Sequence, residues 1–308
     1  MNLLVQGVPL ADAVQKLGDK TIVGTTLRTS ELAQLPLKIR EESFFSATVE
    51  DARFLETAKA KALKALSMVK EKTATDEAFV DRSSFIGDLR KQAIASGLGT
   101  GTDPRNVQDL ASRARLGLIY DMQAGKATGF ARRKSGLTQG ALLASPAWRL
   151  VRIRPSRVAR KWDALWDEAG VKVGFEGASK AQPVALKTSP IWTALSQFGT
   201  PWPPFRFGSG MGVINVGRLE TEQLGLLEPG EIPEAPEDPA FNAELSASVE
   251  GMEPVTLDVL RNLFGSHVAI EGGSASWAPA GSGGELESLI YNVGTIARDI
   301  STLLGGNP

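Results

Sequence analysis

At 308 residues, with 42% hydrophobic residues and a formal net charge of −1, the chain has the composition of a folded protein with one large or two modest domains. It contains no cysteine, which excludes disulfides, thiolate zinc sites, iron–sulfur clusters and cysteine nucleophiles. The start MNLLVQGVPLADAV lacks the basic flank and apolar run of a signal peptide, and no stretch approaches the about 18 apolar residues of a membrane span. We therefore expect an intracellular protein with no membrane partner.

The first half of the chain is predicted to be helical. Residues 1–42 form an N-terminal segment in which LRTSELAQLP is typical of a short capped helix. Residues 43–144 form a helical region. Its first helix, SATVEDARFLETAKAKALKALSMVKEK, is predicted to run for about seven turns from a cap at Ser46 or Thr48, because apolar residues recur every three or four positions. SFIGDLRKQAIASG predicts a second helix that ends at Gly97, and NVQDLASRARLGLIYDMQAG predicts a third.

Residues 145–227 change from helical to mixed patterning. WRLVRIRP alternates apolar residues with arginines, which is typical of a half-buried strand. SRVARKWDALWDEAG predicts a helix with Ser156 as its N-cap and Gly170 just after its end. A short helix in SPIWTALSQFG, a strand in GVINV and a further short helix complete a small α/β core with a Trp/Pro-rich segment.

The last quarter of the chain begins with an acidic segment. Residues 228–254 are rich in acids and proline, which favours a linker or a surface arm. Residues 255–308 are predicted to form a helical segment, with helices in VTLDVLRNLFG and ELESLIYNVGTIARDISTLL separated by EGGSASWAPAGSGG. The predicted fold class is α+β, with a helix-rich N-terminal half, a compact mixed α/β centre and a helical C-terminal tail.

Charge is segregated along the chain. Residues 113–161 contain twelve Lys or Arg and one acid, Asp121, whereas residues 219–254 contain ten acids and no Lys or Arg. The basic stretch either binds a polyanion or another partner, with strong salt dependence, or neutralises the acidic stretch within the chain or in a neighbouring copy. In this prediction Arg132, Arg133 and Lys134 lie in a loop before the strand. The candidate partner-binding or DNA-binding residues are Arg113, Arg132, Arg133, Lys134, Arg149, Arg152, Arg154, Arg157, Arg160 and Lys161.

Aromatic residues are concentrated next to this basic stretch, since five of the six tryptophans fall between residues 148 and 202. Trp162 and Trp166 share one face of a predicted helix, which indicates either core packing or a docking surface with Trp and Arg anchors. In PWPPFRF the prolines fix φ and are expected to hold Trp202, Phe205 and Phe207 outward, and the glycines that follow allow a sharp turn. The expected structural clasp consists of Trp162, Trp166, Trp202, Pro203, Pro204 and Phe205.

Motifs for catalysis are missing. GLGTGT and GSGMGV both lack the G-x-G-x-x-G spacing, and the sequence contains no G-x-x-x-x-G-K-[ST], G-x-S-x-G or H-E-x-x-H. The single histidine, His267, fits a surface or half-buried residue better than a triad or metal ligand. Asp163 and Asp167 lie near Arg160 and Lys161, so they fit ion pairs better than a catalytic acid pair. We expect a protein that is not an enzyme and has no catalytic residue, metal or cofactor.

Five segments, in order, resemble the phage Mu F-like head morphogenesis proteins, also called minor head or minor capsid proteins. SFFSATVEDARFLETAKAKALKALS resembles the helical lead-in of that family, and SSFIGDLRKQA resembles the short helix that follows. SRARLGLIYDMQAG is similar to its core helix, with Arg113, Ile119 and Tyr120 at the matching positions. PAWRLVRIRPSRVARKWDALWDEAG is similar to its strand and Arg-bearing segment, with Arg160 in place and Asp163 where a histidine is common. PWPPFRFGSGMGV resembles its Pro-Pro segment, which often continues into C-R-C.

The resemblance covers about residues 43–227 and carries expectations for function. It implies a structural minor head protein of a bacteriophage or prophage that associates with the portal protein and assists capsid assembly and DNA packaging or ejection. The implied further partners are the major capsid or scaffold protein and packaged DNA. The implied location is the virion, inside the head near the portal vertex, after assembly in the host bacterial cytoplasm. Because cysteine and histidine are missing at the matching positions, no metal-binding or cross-linking role carries over. The alternative is a nucleic-acid-binding module that uses residues 113–161.

Overall fold

The computed structural model describes residues 10–68, 76–155, 160–175, 182–231, 233–234, 245–249, 254, 257–258, 261 and 268–277. The helices in these residues are α1 (Leu10–Gly18), α2 (Thr29–Leu32), α3 (Leu37–Glu42), α4 (Ala52–Met68), α5 (Asp76–Ala95), α6 (Arg113–Gly136), α7 (Gln139–Ala144), α8 (Trp162–Val173), α9 (Ile191–Leu195) and α10 (Arg218–Gln223). The strands are β1 (Thr21–Ile22), β2 (Ser43–Phe44), β3 (Ala147–Arg152), β4 (Val184–Leu186), β5 (Met211–Val216), β6 (Leu245–Ser248), β7 (Val268–Glu271) and β8 (Ser274–Trp277).

The predicted α+β class is confirmed. Helices dominate the first half of the chain, and an antiparallel three-stranded sheet with the order β4-β3-β5 lies in the predicted centre. The helical tail was predicted mainly for residues that lie outside the described part of the chain. Residues 268–277, which lie between the two predicted helices of that tail, form the hairpin β7–β8, which turns at Gly272 and Gly273 with φ of +55° and +76°.

The chain forms two compact units, and one of them combines residues 19–60 with residues 239–308. In this unit β1 and β2 pair in parallel, and β6, β8 and β7 form an antiparallel sheet in that order. Strand β6 lies inside the predicted acidic arm, so the end of that segment is part of a sheet. The unit has its own apolar cluster, which consists of Val23, Leu32, Leu35, Ile39 and Val249.

The other unit combines residues 1–18 with residues 61–238. Its β4-β3-β5 sheet follows the period of two in WRLVRIRP, because Trp148 and Leu150 are buried on one face. On that face the sheet packs against α8, α9 and the Trp/Pro-rich segment. Residues Ala147, Val184 and Val216 lie on the other face and are covered by Leu224 and Leu226.

Helix α6 is the longest helix of the described residues and differs from its prediction at both ends. The hydroxyl of Ser112 caps it by accepting from Arg115 N at 3.0 Å. It begins at Arg113 rather than near residue 105, because the preceding residues form a loop that Asp109 holds by accepting from Gly101 N at 2.7 Å and Ala111 N at 2.9 Å. It also continues past Gly125 as far as Gly136.

Two further helices differ from their predicted bounds. Helix α4 begins at Ala52 because the carboxylate of Asp51 accepts from Phe54 N at 2.8 Å, so neither Ser46 nor Thr48 is the cap. Helix α8 begins at Trp162, and Ser156 lies outside the described residues. It ends at Gly174 in the left-handed conformation with φ of +64°, four residues after the predicted stop at Gly170.

The Trp/Pro-rich segment, PWPPFRF at residues 201–207, lies in a notch in α6. The notch is formed by Gly125 and Gly129, which lie one turn apart on the helix. A Cβ atom on Gly125 would lie 3.5 Å from the ring of Pro204. A Cβ atom on Gly129 would overlap the carbonyl oxygen of Pro203 and lie 2.9 Å from Trp202 Cδ1. The segment can therefore reach the helix backbone only because residue 129 has no side chain.

We expect Gly129→Ala to lower the free energy of unfolding by about 3 kcal/mol, because the added methyl group must displace the backbone of the Trp/Pro-rich segment. The matched control is Gly87→Ala in α5, where an added Cβ meets no atom within 4 Å. Gly87→Ala is expected to raise the free energy of unfolding by about 0.5–1 kcal/mol, since alanine favours the helical conformation more than glycine does. Urea unfolding of both variants measures the difference, and equal stability of the two would contradict the notch.

Candidate functional site

The predicted basic stretch is the first candidate for a functional surface, and part of it lies on α6. Arg132, Arg133 and Lys134 belong to the last turns of α6, so their placement in a loop was wrong. Helix α6 continues past Gly125, which is the last residue of the predicted helix. Each side chain contacts a different element: Arg132 Nη1 donates to Val213 O at 2.9 Å, Arg133 Nη1 donates to Lys187 O at 3.1 Å, and Lys134 Nζ pairs with Asp12 Oδ1 at 2.9 Å.

Arg132 binds a backbone carbonyl at the edge of the sheet. Strand β5 is an edge strand whose inner neighbour is β3. The guanidinium of Arg132 donates to the Val213 carbonyl of that strand. Desolvation lowers the pKa of Arg132, which fits a cation placed inside the structure rather than on a binding surface.

The arginines of β3 and the residues after it also make internal contacts. They connect the strand to the loop before β5, to α6 and to α10. Arg152 Nη1 donates to Ser209 O at 3.2 Å, Arg160 Nη2 to Phe207 O at 2.9 Å, Arg154 Nη1 to Asp121 Oδ1 at 3.0 Å, and Arg149 Nη2 to Glu220 Oε1 at 2.5 Å. These residues therefore hold the turn at 207–210 and the neighbouring helices in place.

Asp121, the single acid of the basic stretch, joins two arginines. Arg82 of α5 forms a bidentate pair with it, with Nε and Nη2 each 2.9 Å from a carboxylate oxygen. Arg154 completes the group at 3.0 Å. The hydrogen bonds with Asp121 raise the pKa of the Arg82 guanidinium. One carboxylate thus links α5, α6 and the segment that follows β3.

The pairing of Arg149 with Glu220 bears on the second interpretation of the charge pattern, because Glu220 belongs to the acidic stretch. It is an example of internal neutralisation between the two stretches.

Arg113 and Lys161 are exposed, and Arg157 lies outside the described residues. Exposed lysines also occur elsewhere: Lys64 and Lys91 lie near Asp88, whose pKa is lowered mainly by its hydrogen bond to Lys61.

Three of the expected clasp residues lie in the core. Trp162, Trp166 and Phe205 are buried in one cluster with Trp148 and Trp192. Trp192 is central to this cluster. Its ring stacks on Phe205 with centroids 5.9 Å apart, and it packs at a steep angle against the rings of Trp148 and Trp166. Phe205 was predicted to point outward, and this is wrong because its ring fills the space beside Trp192.

The Trp202 side chain packs on α6. It is half-buried, and its ring meets Phe130 edge-on with centroids 5.3 Å apart. Pro203 and Pro204, joined by a cis peptide bond, lie against Gly129 and Gly125. Phe207 meets Phe198 edge-on at 4.8 Å. The stiff segment therefore fastens α6 to the aromatic core of the same unit.

The glycines after this segment make a tight turn against β3. Gly210 has φ of +63°, and its carbonyl accepts from Ile153 N at 2.8 Å and Arg154 N at 3.0 Å. A Cβ there would overlap the carbonyl oxygen of Arg154. Because Gly210 has no side chain, its backbone can lie against the backbone of Arg154 just before β5 begins.

Lys187 is a buried amine that the sequence did not reveal. Its side chain is fully buried between the end of α6 and Trp148, since a Cβ on Gly136 would lie 3.6 Å from both Lys187 Nζ and Trp148 Cζ2. Nζ lies 3.3 Å from the hydroxyl of Ser145. Desolvation lowers the pKa of Lys187 to about 8. In the sequence VALKTS (residues 184–189), none of the neighbouring residues predicts that this lysine is buried.

In the part of the chain that the structure describes, no three His, Asp or Glu side chains lie close enough together to hold a metal ion. Of the described helices, none combines the length and apolar character needed to cross a membrane.

The chain matches no family model, no curated protein and no solved structure.

We expect the stability of the protein to rise with pH above neutrality because of Lys187. Its pKa is about 8 when folded and about 10.5 when unfolded, so the unfolded chain binds more protons between these values. The free energy of unfolding should increase by about 2 kcal/mol from pH 7 to 9.5 through this group. Lys187→Met should lose this increase, whereas Lys172→Met, which removes an exposed lysine, should keep it.

Urea unfolding at the two pH values measures the effect. The same pH dependence in wild type and Lys187→Met would contradict a buried lysine with a lowered pKa.

Proposed function

We propose that this protein is a non-catalytic structural component of a bacteriophage or prophage head. In this role it is a minor head protein that associates with the portal, assists capsid assembly and takes part in DNA packaging or ejection. It is assembled in the cytoplasm of the host bacterium and resides inside the head near the portal vertex. The major capsid or scaffold protein and packaged DNA are its proposed further neighbours.

The observation that supports this proposal best is the spatial relation of three segments that resemble the minor head proteins. The core-helix segment, the strand segment and the Pro-Pro segment are far apart in sequence but belong to one packed unit. The Pro-Pro segment contacts the core helix at Gly125 and Gly129. Arg160 of the strand segment donates to Phe207 of the Pro-Pro segment at 2.9 Å. The three segments that resemble that family are therefore parts of one packed unit.

A structural role also fits the chemistry of the described residues. The arginines mostly make contacts that hold the unit together, and the tryptophans fill its core. A rigid unit of this kind can present a fixed surface to a large assembly. The exposed basic residues Arg113 and Lys161, together with the exposed apolar residues Leu143 and Leu219, are candidates for contact with the portal.

The alternative of a nucleic-acid-binding module in residues 113–161 has less support. Six of its candidate arginines donate to groups of the same chain, and a side chain held in this way is less able to follow a phosphate backbone. Among the described residues, binding through the stretch would rest mainly on Arg113, Lys161 and the outer parts of Arg152 and Arg154, which are exposed. Few phosphate contacts predict weak binding with a shallow salt dependence.

The test is co-expression of the tagged full-length chain with the portal protein encoded in the same genome, followed by size-exclusion chromatography. We expect the chain to elute with the portal oligomer. Arg113→Glu combined with Lys161→Glu should reduce the bound fraction at least several-fold, because it reverses two exposed charges. Lys64→Glu, also on an exposed side chain, is the matched control and should bind as wild type does.

Separate elution of the folded wild-type chain, together with its absence from purified heads, would refute the proposed role.

A further inference from the structure

Ser145 and Lys187 form a pair that the structural role does not use. Ser145 follows the last residue of α7, and its side chain is half-buried. Lys187 follows β4, and its side chain is fully buried. The two elements are brought together by the backbone, because Lys187 N donates to the carbonyl of Pro146 at 2.9 Å. The result is a lysine amine 3.3 Å from a serine hydroxyl.

The surroundings of the amine favour its neutral form. Three N–H donors of an ammonium group would need acceptors, and Ser145 Oγ is its hydrogen-bond partner among the described residues. No carboxylate in the described part of the chain pairs with it. The guanidinium of Arg133 donates to the backbone carbonyl of Lys187, and desolvation by burial lowers the pKa of the Lys187 amine. A neutral amine has a lone pair that can accept the serine proton.

We propose that Ser145 is a nucleophilic acceptor for activated acyl esters, with Lys187 as its general base. The 3.3 Å between Nζ and the hydroxyl is slightly longer than the about 2.6–3.2 Å typical of a nucleophile and its base, as such pairs often are without a bound substrate. Serine–lysine pairs are one of the known variants of this arrangement. The inference goes beyond the proposed structural role and does not depend on it.

The step is a single acyl transfer to the protein. Ser145 Oγ attacks the carbonyl carbon of the ester, and its proton passes to Lys187 Nζ. The bond from that carbon to the leaving oxygen then breaks, and the leaving group departs as the alkoxide or phenoxide, which takes the proton from Lys187.

The competing role for Ser145 is local. Its hydroxyl can also donate to the Ala141 carbonyl at 3.3 Å, as a serine at the end of a helix commonly does. The two roles differ in one respect: only an activated hydroxyl reacts faster as Lys187 loses its proton. A pH profile of reaction rate therefore separates them.

The experiment treats the folded full-length protein with a fluorophosphonate, a probe that forms an Oγ–P bond with loss of fluoride at activated serines. Intact mass and peptide mapping locate the adduct at pH 6.5 to 10. We expect one adduct, on Ser145, whose rate rises with an apparent pKa near 8. Lys187→Met should slow the reaction about 100-fold, the lower range for loss of a general base, and Ser145→Ala should abolish the adduct.

Ser189→Ala is the matched control. Ser189 is half-buried two residues after Lys187, and its hydroxyl only accepts from Ile191 N. This variant should react at the wild-type rate. The inference is overturned if the folded wild-type protein gives no Ser145 adduct, or if the adduct forms at a rate that does not change with pH. Because both readouts use the wild-type protein, the test holds even if Lys187→Met fails to fold.

Discussion

The close contact between the Trp/Pro-rich segment and α6 is the constraint on which the rest of the larger unit depends. Pro203 lies so near the helix backbone at Gly129 that no side chain fits there. That contact brings Trp202 onto Phe130 and leaves Phe205 facing Trp192. The helix and the aromatic core of the sheet are therefore joined by a few residues whose stiffness reduces the entropy lost when they become ordered.

The arginines act as a second set of connections around the same helix. Arg132 reaches the edge strand β5, and Arg152 and Arg160 hold the turn that leads into it. Asp121 joins Arg82 to Arg154. A cluster of like charges in the sequence is thus distributed in space over several carbonyls and carboxylates. The ion pairs among these contacts are partly exposed, so each one contributes little stability by itself.

Much of the fold could be predicted from local patterns, and the failures have physical causes. Alternation identified the strands at residues 147–152 and 211–216, and apolar spacing identified the helices. The end of α6 was misplaced because Gly125 has the sequence signature of a helix stop, whereas tertiary contacts keep the helix continuous there. The outward orientation of Phe205 was wrong because a rigid segment constrains only its own backbone. Which face it turns to the core depends on Trp192, thirteen positions earlier.

The candidate sites were harder to predict than the fold. No local pattern distinguishes an arginine that binds a partner from one that donates to a carbonyl 50 to 80 residues away, as Arg133 and Arg132 do. Lys187 follows an apolar strand and precedes a threonine, so its burial beside Ser145 depends wholly on how α7 and β4 meet. The Gly-x-x-x-Gly spacing in α6 was the one available signal for a close contact, and its occupant could be found only in three dimensions.

Hydrogen-exchange mass spectrometry of the full-length chain tests most directly whether α6, its glycine notch and the sheet form one cooperative unit. We expect peptides from residues 113–136, 147–152 and 211–216 to share the slowest exchange class and to lose protection together as urea is added. Exchange of the α6 peptides about 100-fold faster than those of β3 would mean that the helix opens independently. That result would contradict the central role assigned to the contact at Gly129.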